Sequence, residues 1–166
     1  MAIETTAFRR VAGCFATGVT VVTCRVGERT HGITINSFAS LSLDPLLFLI
    51  CVEHRAIAHD LILHAGCFAV NVLGQHQREI SDYFARRLAP DPFDELRGIP
   101  YHLGVSGAPL LDGVIARVEG RLTDIFPGGD HSIFVAEVLA AEICSDEPPL
   151  LFHRGKYPRL APPALP

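Results

Sequence analysis

The fold is decided by residues 19–38, which read Val19-Thr-Val-Val-Thr-Cys-Arg-Val26, then Gly27-Glu-Arg-Thr30, then His31-Gly-Ile-Thr-Ile-Asn-Ser-Phe38. The first part is rich in β-branched residues, and the last part alternates apolar and polar side chains, as a strand with one buried face does. Gly27 and the residues after it form a turn signal between the two parts. The stretch therefore predicts an antiparallel β-hairpin.

Outward from this hairpin, strand signals recur between turns. Within the strand predicted at 116–123, the alternation places Glu119 on the solvent face. Because tight turns rather than regular crossover helices join the strand pairs, the pattern favours a mainly β fold, an antiparallel barrel with peripheral helices, over a doubly wound sheet. The other predicted elements are strands at 46–52, 68–72 and 131–143, turns at 44–45 and 126–130, and helices at 5–16, 55–65 and 75–88.

Length and composition predict one folded domain. The chain has 166 residues, of which 49% are hydrophobic and 19% charged. This fits a single domain over residues 1–160, followed by a Pro-rich tail at 161–166. The mean hydropathy of +0.31 is high, and we expect the excess apolar surface to be buried in a homo-oligomer.

Charge and cysteine content argue against several classes of protein. A net charge of −4 without any basic block does not suit a nucleic-acid partner. No apolar run approaches the roughly 18 residues of a membrane helix, and the N-terminus lacks the pattern of a secretory signal. The five cysteines are odd in number and form no CxxC pair, which favours a cytoplasmic location.

Residues 31–43 carry the strongest functional signal. Thr34 and Asn36 share one face of the predicted strand, and a serine-rich run follows them. Uncharged hydroxyl and amide groups suit a planar heteroaromatic ligand, because such a ligand needs donors and acceptors rather than net charge. The alternative is a strand that runs into a Ser-rich surface loop.

Five segments, in order along the chain, resemble the flavin reductase-like family of FMN- or FAD-binding split-barrel proteins. Among their motifs are Phe15-Ala-Thr-Gly-Val-Thr-Val-Val-Thr23, His31-Gly-Ile-Thr-Ile-Asn-Ser-Phe38, and Gly129-Asp-His131 before a hydrophobic strand. The matching segments are 8–23, 31–45, 67–84, 129–131 and 149–157, so the resemblance extends over residues 5–160.

The resemblance implies a split β-barrel, a homodimer with the flavin at its interface, and an NAD(P)H-dependent flavin reductase. Such an enzyme passes hydride from NADH or NADPH to FMN or FAD, and the reduced flavin diffuses to a separate monooxygenase. The residues that the resemblance places against the flavin ring, the ribityl chain or the loop beside them are Thr34, Asn36, Ser37, Ser40, Ser42, Leu43, Cys51 and Val52.

The segment Glu53-His-Arg-Ala-Ile-Ala58 matches the region that receives the flavin phosphate in the family. The donor fork of Arg55 and N–H groups at a helix start suit a dianionic phosphate. Family members commonly carry a serine where this chain has Ala56, so one hydroxyl ligand is missing. The alternative for Arg55 is an ordinary surface cation.

His131 matches the histidine that, in the family, lies near the nicotinamide side of the flavin and is the candidate catalytic residue. Phe152 and Tyr157 match C-terminal aromatic residues that line the same region. The alternative for His131 is a solvated turn residue.

No metal site is expected. His54, His59 and His64 are five residues apart, and on a helix this spacing turns each by about 140° from the last, so they would not share a face. No H-E-x-x-H pattern occurs.

Two other functions are compatible with the sequence. One is a tightly flavinated electron-transfer protein that a partner protein reduces. The other is a non-catalytic split-barrel module that binds a partner or another cofactor.

Overall fold

A computed structural model describes residues 3–85, 96 and 98–161. In chain order its elements are α1 (Thr5–Ala12), β1 (Thr17–Gly18), β2 (Thr20–Val26), β3 (Arg29–Ile35), β4 (Ala39–Leu43), β5 (Leu46–Glu53), α2 (Ile57–Ala65), β6 (Cys67–Val72), α3 (Arg78–Phe84), β7 (Tyr101–Leu103), β8 (Pro109–Leu111), β9 (Ala116–Gly128), β10 (His131–Ile143) and β11 (Leu151–Phe152).

A seven-stranded sheet forms the centre of the structure, in the order β3-β2-β6-β9-β10-β5-β4. Every neighbouring pair in it is antiparallel. Two small sheets pair β1 with β11 and β7 with β8. The predicted fold class, mainly antiparallel β with peripheral helices, is confirmed. None of the helices in the described ranges is long and apolar enough to cross a bilayer.

The chain passes directly between the two edge strands of the large sheet, from the end of β3 to the start of β4. Ser37 lies in this crossing. Its hydroxyl donates to the backbone oxygen of Cys51 at 2.9 Å and accepts from the Cys51 N–H at 3.1 Å. These two bonds attach the crossing to β5, so the sheet is curled and an opening remains between the ends of β3 and β5.

The main core fills the curled sheet and is covered by α2. Phe48 and Phe68 meet edge to face there, with ring centroids 5.4 Å apart. Gly120 lies against them, and a Cβ at this position would come within 2.5 Å of the Phe48 ring. Close packing therefore requires glycine in this part of β9. The members of the core are Val22, Cys24, Phe48, Ile50, Val52, Ala58, Ile62, Phe68, Val70, Phe134 and Ala136.

The predicted helices are shorter in the structure. α1 ends at Ala12 rather than at residue 16, because after Gly13 the bonding changes to i→i−3: the Cys14 N–H donates to the Val11 oxygen and the Phe15 N–H to the Ala12 oxygen. α2 begins at Ile57, since Ala56 has an extended backbone. α3 begins at Arg78, not at residue 75; of its predicted end, 86–88 lie outside the described residues.

Two strands differ from the prediction. β9 continues to Gly128, so the predicted turn at 126–130 shortens to residues 129–130, and the serine-rich run at 39–43 forms β4 instead of a loop. Of the predicted tail at 161–166, residues 162–166 lie outside the described residues.

The prediction that Glu119 faces solvent is wrong, because its side chain is only 4% exposed. The segment between β7 and β8 covers this face of β9. The backbone N–H and hydroxyl of Ser106 both donate to Glu119 Oε2, at 2.8 and 2.6 Å. Strand alternation identifies the face of a side chain, but it carries no information about a distant segment that covers that face.

Candidate functional site

A cavity of about 450 Å³ opens between the ends of β3 and β5. Its volume is within the range of small-molecule sites, and we call it the cleft. Its walls come from β3 and the crossing after it, the end of β5, the start of α2, the end of α3 and the turn before β10. The lining residues are His31, Gly32, Ile33, Thr34, Ile35, Asn36, Ser37, Cys51, Val52, Glu53, Arg55, Ala56, Ile57, Tyr83, Phe84, Ala85 and His131.

The cleft brings together most of the site residues predicted from the sequence. Residues distant in the chain meet there because β10 pairs with β5 so that His131 lies opposite Glu53. The predicted residues that line it are Thr34, Asn36, Ser37, Cys51, Val52, Arg55, Ala56 and His131.

The polar wall of the cleft is held in place by internal hydrogen bonds. The Thr34 hydroxyl donates to the Ser81 backbone oxygen at 2.8 Å. Asn36 Nδ2 donates to Thr17 Oγ1 at 3.1 Å, which leaves the amide oxygen of Asn36 outside this bond. The wall therefore offers acceptors and a second amide N–H to a ligand in fixed positions.

Cys51 and Val52 form the floor of the cleft at the end of β5, and Glu53 lines the cleft next to them. Burial raises the pKa of the Cys51 thiol, so it stays protonated at neutral pH. A protonated thiol beside an apolar side chain suits an uncharged ring rather than an anion.

The mouth of the cleft is suited to an anion. Arg55 is exposed there, and Ala56 is the N-cap of α2 and forms no side-chain cap. The first N–H groups of a helix lack partners within the helix, and an alanine cap leaves them to solvent or to a ligand.

His131 lies at the other side of the cleft and is half-buried. Its Nδ1 is 2.7 Å from the Asp130 carboxylate. The hydrogen bond from His131, followed by its charge, holds the pKa of Asp130 below the usual range. The contact with Asp130 uses one ring nitrogen and leaves Nε2 for other contacts.

Five predicted site residues do not line the cleft. Ser40, Ser42 and Leu43 lie on β4, where the Ser42 hydroxyl accepts from the Asp44 N–H at 3.2 Å and Leu43 is 85% exposed. Phe152 and Tyr157 contact each other behind the cleft, with ring centroids 5.5 Å apart.

Tyr157 reaches the cleft only through other residues. Its hydroxyl is 2.9 Å from Ser81 Oγ, and it donates to Asp82 Oδ1 at 3.2 Å. Ser81 in turn accepts from Thr34 through its backbone oxygen. The C-terminal segment is thus joined to the polar wall by way of α3.

Sequence reasoning missed the wall that the end of α3 contributes, with Tyr83, Phe84 and Ala85. A Cβ on Gly32 would come within 2.6 Å of the Phe84 ring, so this glycine lets α3 approach β3. The apolar side of α3 was recognisable from its spacing, but the strand on which it packs was not.

Comparison with known proteins agrees with this structure. Residues 12–161 match the protein family described as "Flavin reductase like domain". An NADH-dependent FAD reductase of Streptomyces globisporus is 41% identical over 94% of this chain and 86% of its own length. The reductase component of 4-hydroxyphenylacetate 3-monooxygenase from Thermus thermophilus is 36% identical over 95% of this chain and 98% of its own length.

A solved structure shares the fold. It is the NADH:FAD oxidoreductase SgcE6 of Streptomyces globisporus C-1027 in complex with NAD and FAD fragments, with a TM-score of 0.90 at 40% identity, over 97% of this chain and 95% of that one. The family match covers most of the chain, and both relatives exceed 30% identity over nearly all of it. The protein therefore belongs to the flavin reductase-like family.

Proposed function

We propose that this protein is an NADH-dependent flavin reductase that binds FMN or FAD in the cleft and supplies the reduced flavin to a separate monooxygenase. The observation that carries the proposal is the cleft itself, in which the uncharged side chains of Cys51 and Val52, a polar wall held by hydrogen bonds and the exposed Arg55 come together. The relatives named above, an NADH-dependent FAD reductase and a monooxygenase reductase component, support the choice of hydride donor and the separate oxygenase.

The residues of the cleft fit a flavin. Hydride transfer between a reduced nicotinamide and a flavin ring is the chemistry of the cofactors, so the protein needs only to bind, orient and shield them. In our proposal Thr34 and Asn36 contact the ring edge or ribityl chain, Ser37 holds the wall on β5, and Cys51 and Val52 lie beneath the ring.

Arg55 and the N-terminus of α2 receive the phosphate in this proposal. Ala56 lacks the hydroxyl that is common in the family, and its own N–H donates to the Glu53 oxygen at 3.0 Å. The backbone donors in this proposal are therefore the N–H groups of residues 57 and 58 at the start of α2. The missing side-chain ligand favours a flavin that enters and leaves as a substrate over one that stays bound.

His131 is the candidate catalytic residue. Asp130 orients its ring through Nδ1, so Nε2 can face a nicotinamide or the reduced flavin. In this role it positions the hydride donor and balances negative charge.

A homodimer is part of the proposal. α1 has no buried residue, and its apolar side chains Phe8 and Val11 are 60% and 66% exposed. Leu43 and Leu46 at the β4–β5 turn are 85% and 51% exposed. A second copy would cover this surface and bring Ser40, Ser42 and Leu43 to the flavin, as the resemblance implies. Phe152 and Tyr157 then support the site from behind.

The cytoplasm is the proposed location, and the odd number of cysteines without a CxxC pair supports it.

The experiment is a nicotinamide oxidation assay. NADH and NADPH are each followed by absorbance, with and without added FMN or FAD. We expect NADH consumption that requires free flavin and saturates with it. Absence of consumption with every combination would overturn the proposal, and consumption without added flavin by a yellow, stoichiometrically flavinated protein would favour a resident flavin.

A further inference from the structure

A cluster of two imidazoles around one hydroxyl lies beside the cleft, outside its lining residues. Ser132 Oγ is 3.1 Å from His54 Nε2 and 2.9 Å from His59 Nε2. The two rings meet edge to face, with centroids 5.2 Å apart. Ser132 is 7% exposed, so the shared hydroxyl is almost completely shielded from solvent.

The proton positions in this cluster follow from simple counting. A serine hydroxyl has one proton, so it can donate to only one of the two neutral imidazoles and must accept from the other. His59 Nδ1 is 3.1 Å from the Asp60 carboxylate, which places the proton of neutral His59 on Nδ1. Ser132 therefore donates to His59 Nε2, and His54 Nε2–H donates to Ser132.

The Ser132–His59–Asp60 distances resemble those of a nucleophilic triad, but the cluster is not built for that chemistry. The hydroxyl of Ser132 is buried, it lines neither the cleft nor its mouth, and His54 occupies its second side. A nucleophile needs room for a reacting carbon next to its oxygen. The arrangement suits a structural junction.

The junction holds the residues on both sides of His131. The backbone N–H of His54 donates to the Asp130 oxygen at 3.0 Å, and the His54 side chain bonds to Ser132. His54 is also the immediate neighbour of Arg55 at the mouth. His54 thus connects the Arg55 side of the cleft to the His131 side. Ser132 links His54 to α2 through its hydrogen bond with His59.

We propose that Ser132 is a positioning residue for the flavin reductase reaction. By accepting from His54 and donating to His59, the Ser132 hydroxyl fixes the loop at 54–56 relative to His131. The distance between Arg55 at one end of the cleft and His131 at the other is thereby held constant. The inference rests on the proposed function, since it assigns a role within that reaction.

The test compares Ser132→Ala with Ser132→Thr. Loss of the hydroxyl removes the hydrogen bonds that join the two imidazoles. We expect kcat/KM for flavin, at saturating NADH, to fall about tenfold or more, because binding groups displaced by a fraction of an ångström lower the rate by this order. Threonine keeps the hydroxyl in a strand that accepts β-branched residues, so Ser132→Thr should restore most of that loss.

A matched control separates positioning from folding. Ser106→Ala removes another serine hydroxyl with two partners, Glu119 Oε2 and the Ala108 N–H, in the segment between β7 and β8 and outside the cleft lining. We expect it to lower Tm at least as much as Ser132→Ala while kcat/KM stays at the wild-type level. Equal kinetic losses in the two variants at equal losses of Tm would overturn the proposal.

Hydrogen exchange gives a readout that does not depend on activity. The His54 amide is bonded to Asp130, so Ser132→Ala should speed exchange in peptides covering residues 53–56, while the β2 peptide exchanges as in the wild type. Unchanged exchange at 53–56 together with unchanged kcat/KM would also overturn the inference. If wild-type protein lacks flavin reductase activity but Ser132→Ala still loosens 53–56, the proposed function fails and the junction stands.

Discussion

Two cavities of this structure differ in whether their charged side chains are paired within the protein. The second cavity, of about 560 Å³, lies between the β7–β8 sheet and the far ends of β9 and β10. There Arg117 is paired with Glu142, its Nη2 being 2.6 Å from Glu142 Oε2, and Glu119 accepts two hydrogen bonds from Ser106. Its charges are satisfied by the protein itself.

The charges of the cleft are arranged the other way. Arg55 is exposed at the mouth beside a helix start without a side-chain cap, the wall carries neutral donors and acceptors, and Glu53 lines the cleft at the end of β5. An anionic ligand gains from the cleft, whereas in the second cavity it would have to compete with Glu142 for Arg117. The difference teaches that a candidate site is identified by hydrogen-bonding capacity that the protein itself does not use.

The largest expected effect comes from replacing the arginine of each cavity. A charge-assisted hydrogen bond to phosphate contributes about 1.5–3 kcal/mol, so Arg55→Ala should raise KM for flavin about 10- to 100-fold. Arg117→Ala should leave KM unchanged. Steady-state kinetics of the two variants check this, and a similar KM increase in both would remove the distinction between the cavities.

A histidine–aspartate pair occurs at each cavity and provides the next comparison. His131 pairs with Asp130, and His102 pairs with Asp112 at 3.1 Å. We expect His131→Ala to lower kcat about tenfold, by loss of roughly 1.4 kcal/mol in the transition state, with little change in flavin Kd. His102→Ala should change neither.

Stopped-flow measurement of NADH oxidation gives the turnover rate, and fluorescence titration of flavin gives its Kd, so the two effects are measured separately. If His131→Ala weakens flavin binding as much as it slows turnover, the histidine is a binding residue and its catalytic assignment is wrong.

Much of the cleft was predictable because its residues are close in sequence. Thr34, Asn36 and Ser37 follow one another along a strand whose alternation is plain, and the fold class follows from the tight turns between strand signals. The α3 wall was not predictable, since the packing of Phe84 on Gly32 joins segments about 50 residues apart and leaves no local pattern.

The cluster around Ser132 shows a second limit. Helical spacing applied to the predicted helix at 55–65 and to His54 before it separates His54 from His59, whereas α2 begins at Ile57 and the two rings are in contact. A boundary error of two residues was enough to hide this contact. The buried Glu119 shows the same limit, because the segment that covers it is distant in sequence.

A smaller effect is expected at the polar wall. Asn36 is exposed and its side chain bonds only to Thr17 among the described residues, so Asn36→Ala should leave Tm nearly unchanged. Loss of one neutral hydrogen bond of about 0.5–1.5 kcal/mol should raise the flavin Kd about 2- to 12-fold. Fluorescence titration and thermal melting test both parts, and a large fall in Tm would mean that Asn36 serves the fold instead.

The smallest effect concerns two thiols, Cys51 in the lining of the cleft and Cys67 outside the lining of both cavities. Burial raises the pKa of Cys51 at the floor of the cleft, and burial together with the Glu119 charge raises that of Cys67, whose thiol donates to the Ser106 oxygen near the second cavity. A raised pKa keeps each thiol protonated to higher pH, so iodoacetamide should alkylate both slowly at pH 7.5 and faster as the pH rises. Of these two thiols only Cys51 lines the cleft. FMN or FAD at a concentration equal to its Kd should slow the alkylation of Cys51 about twofold, because half of the sites are then occupied and shielded, and higher concentrations should slow it further. The alkylation of Cys67 should stay unchanged. Peptide mass spectrometry over a time course measures both rates, and equal protection of the two thiols would indicate a general stiffening of the protein rather than a ligand in the cleft.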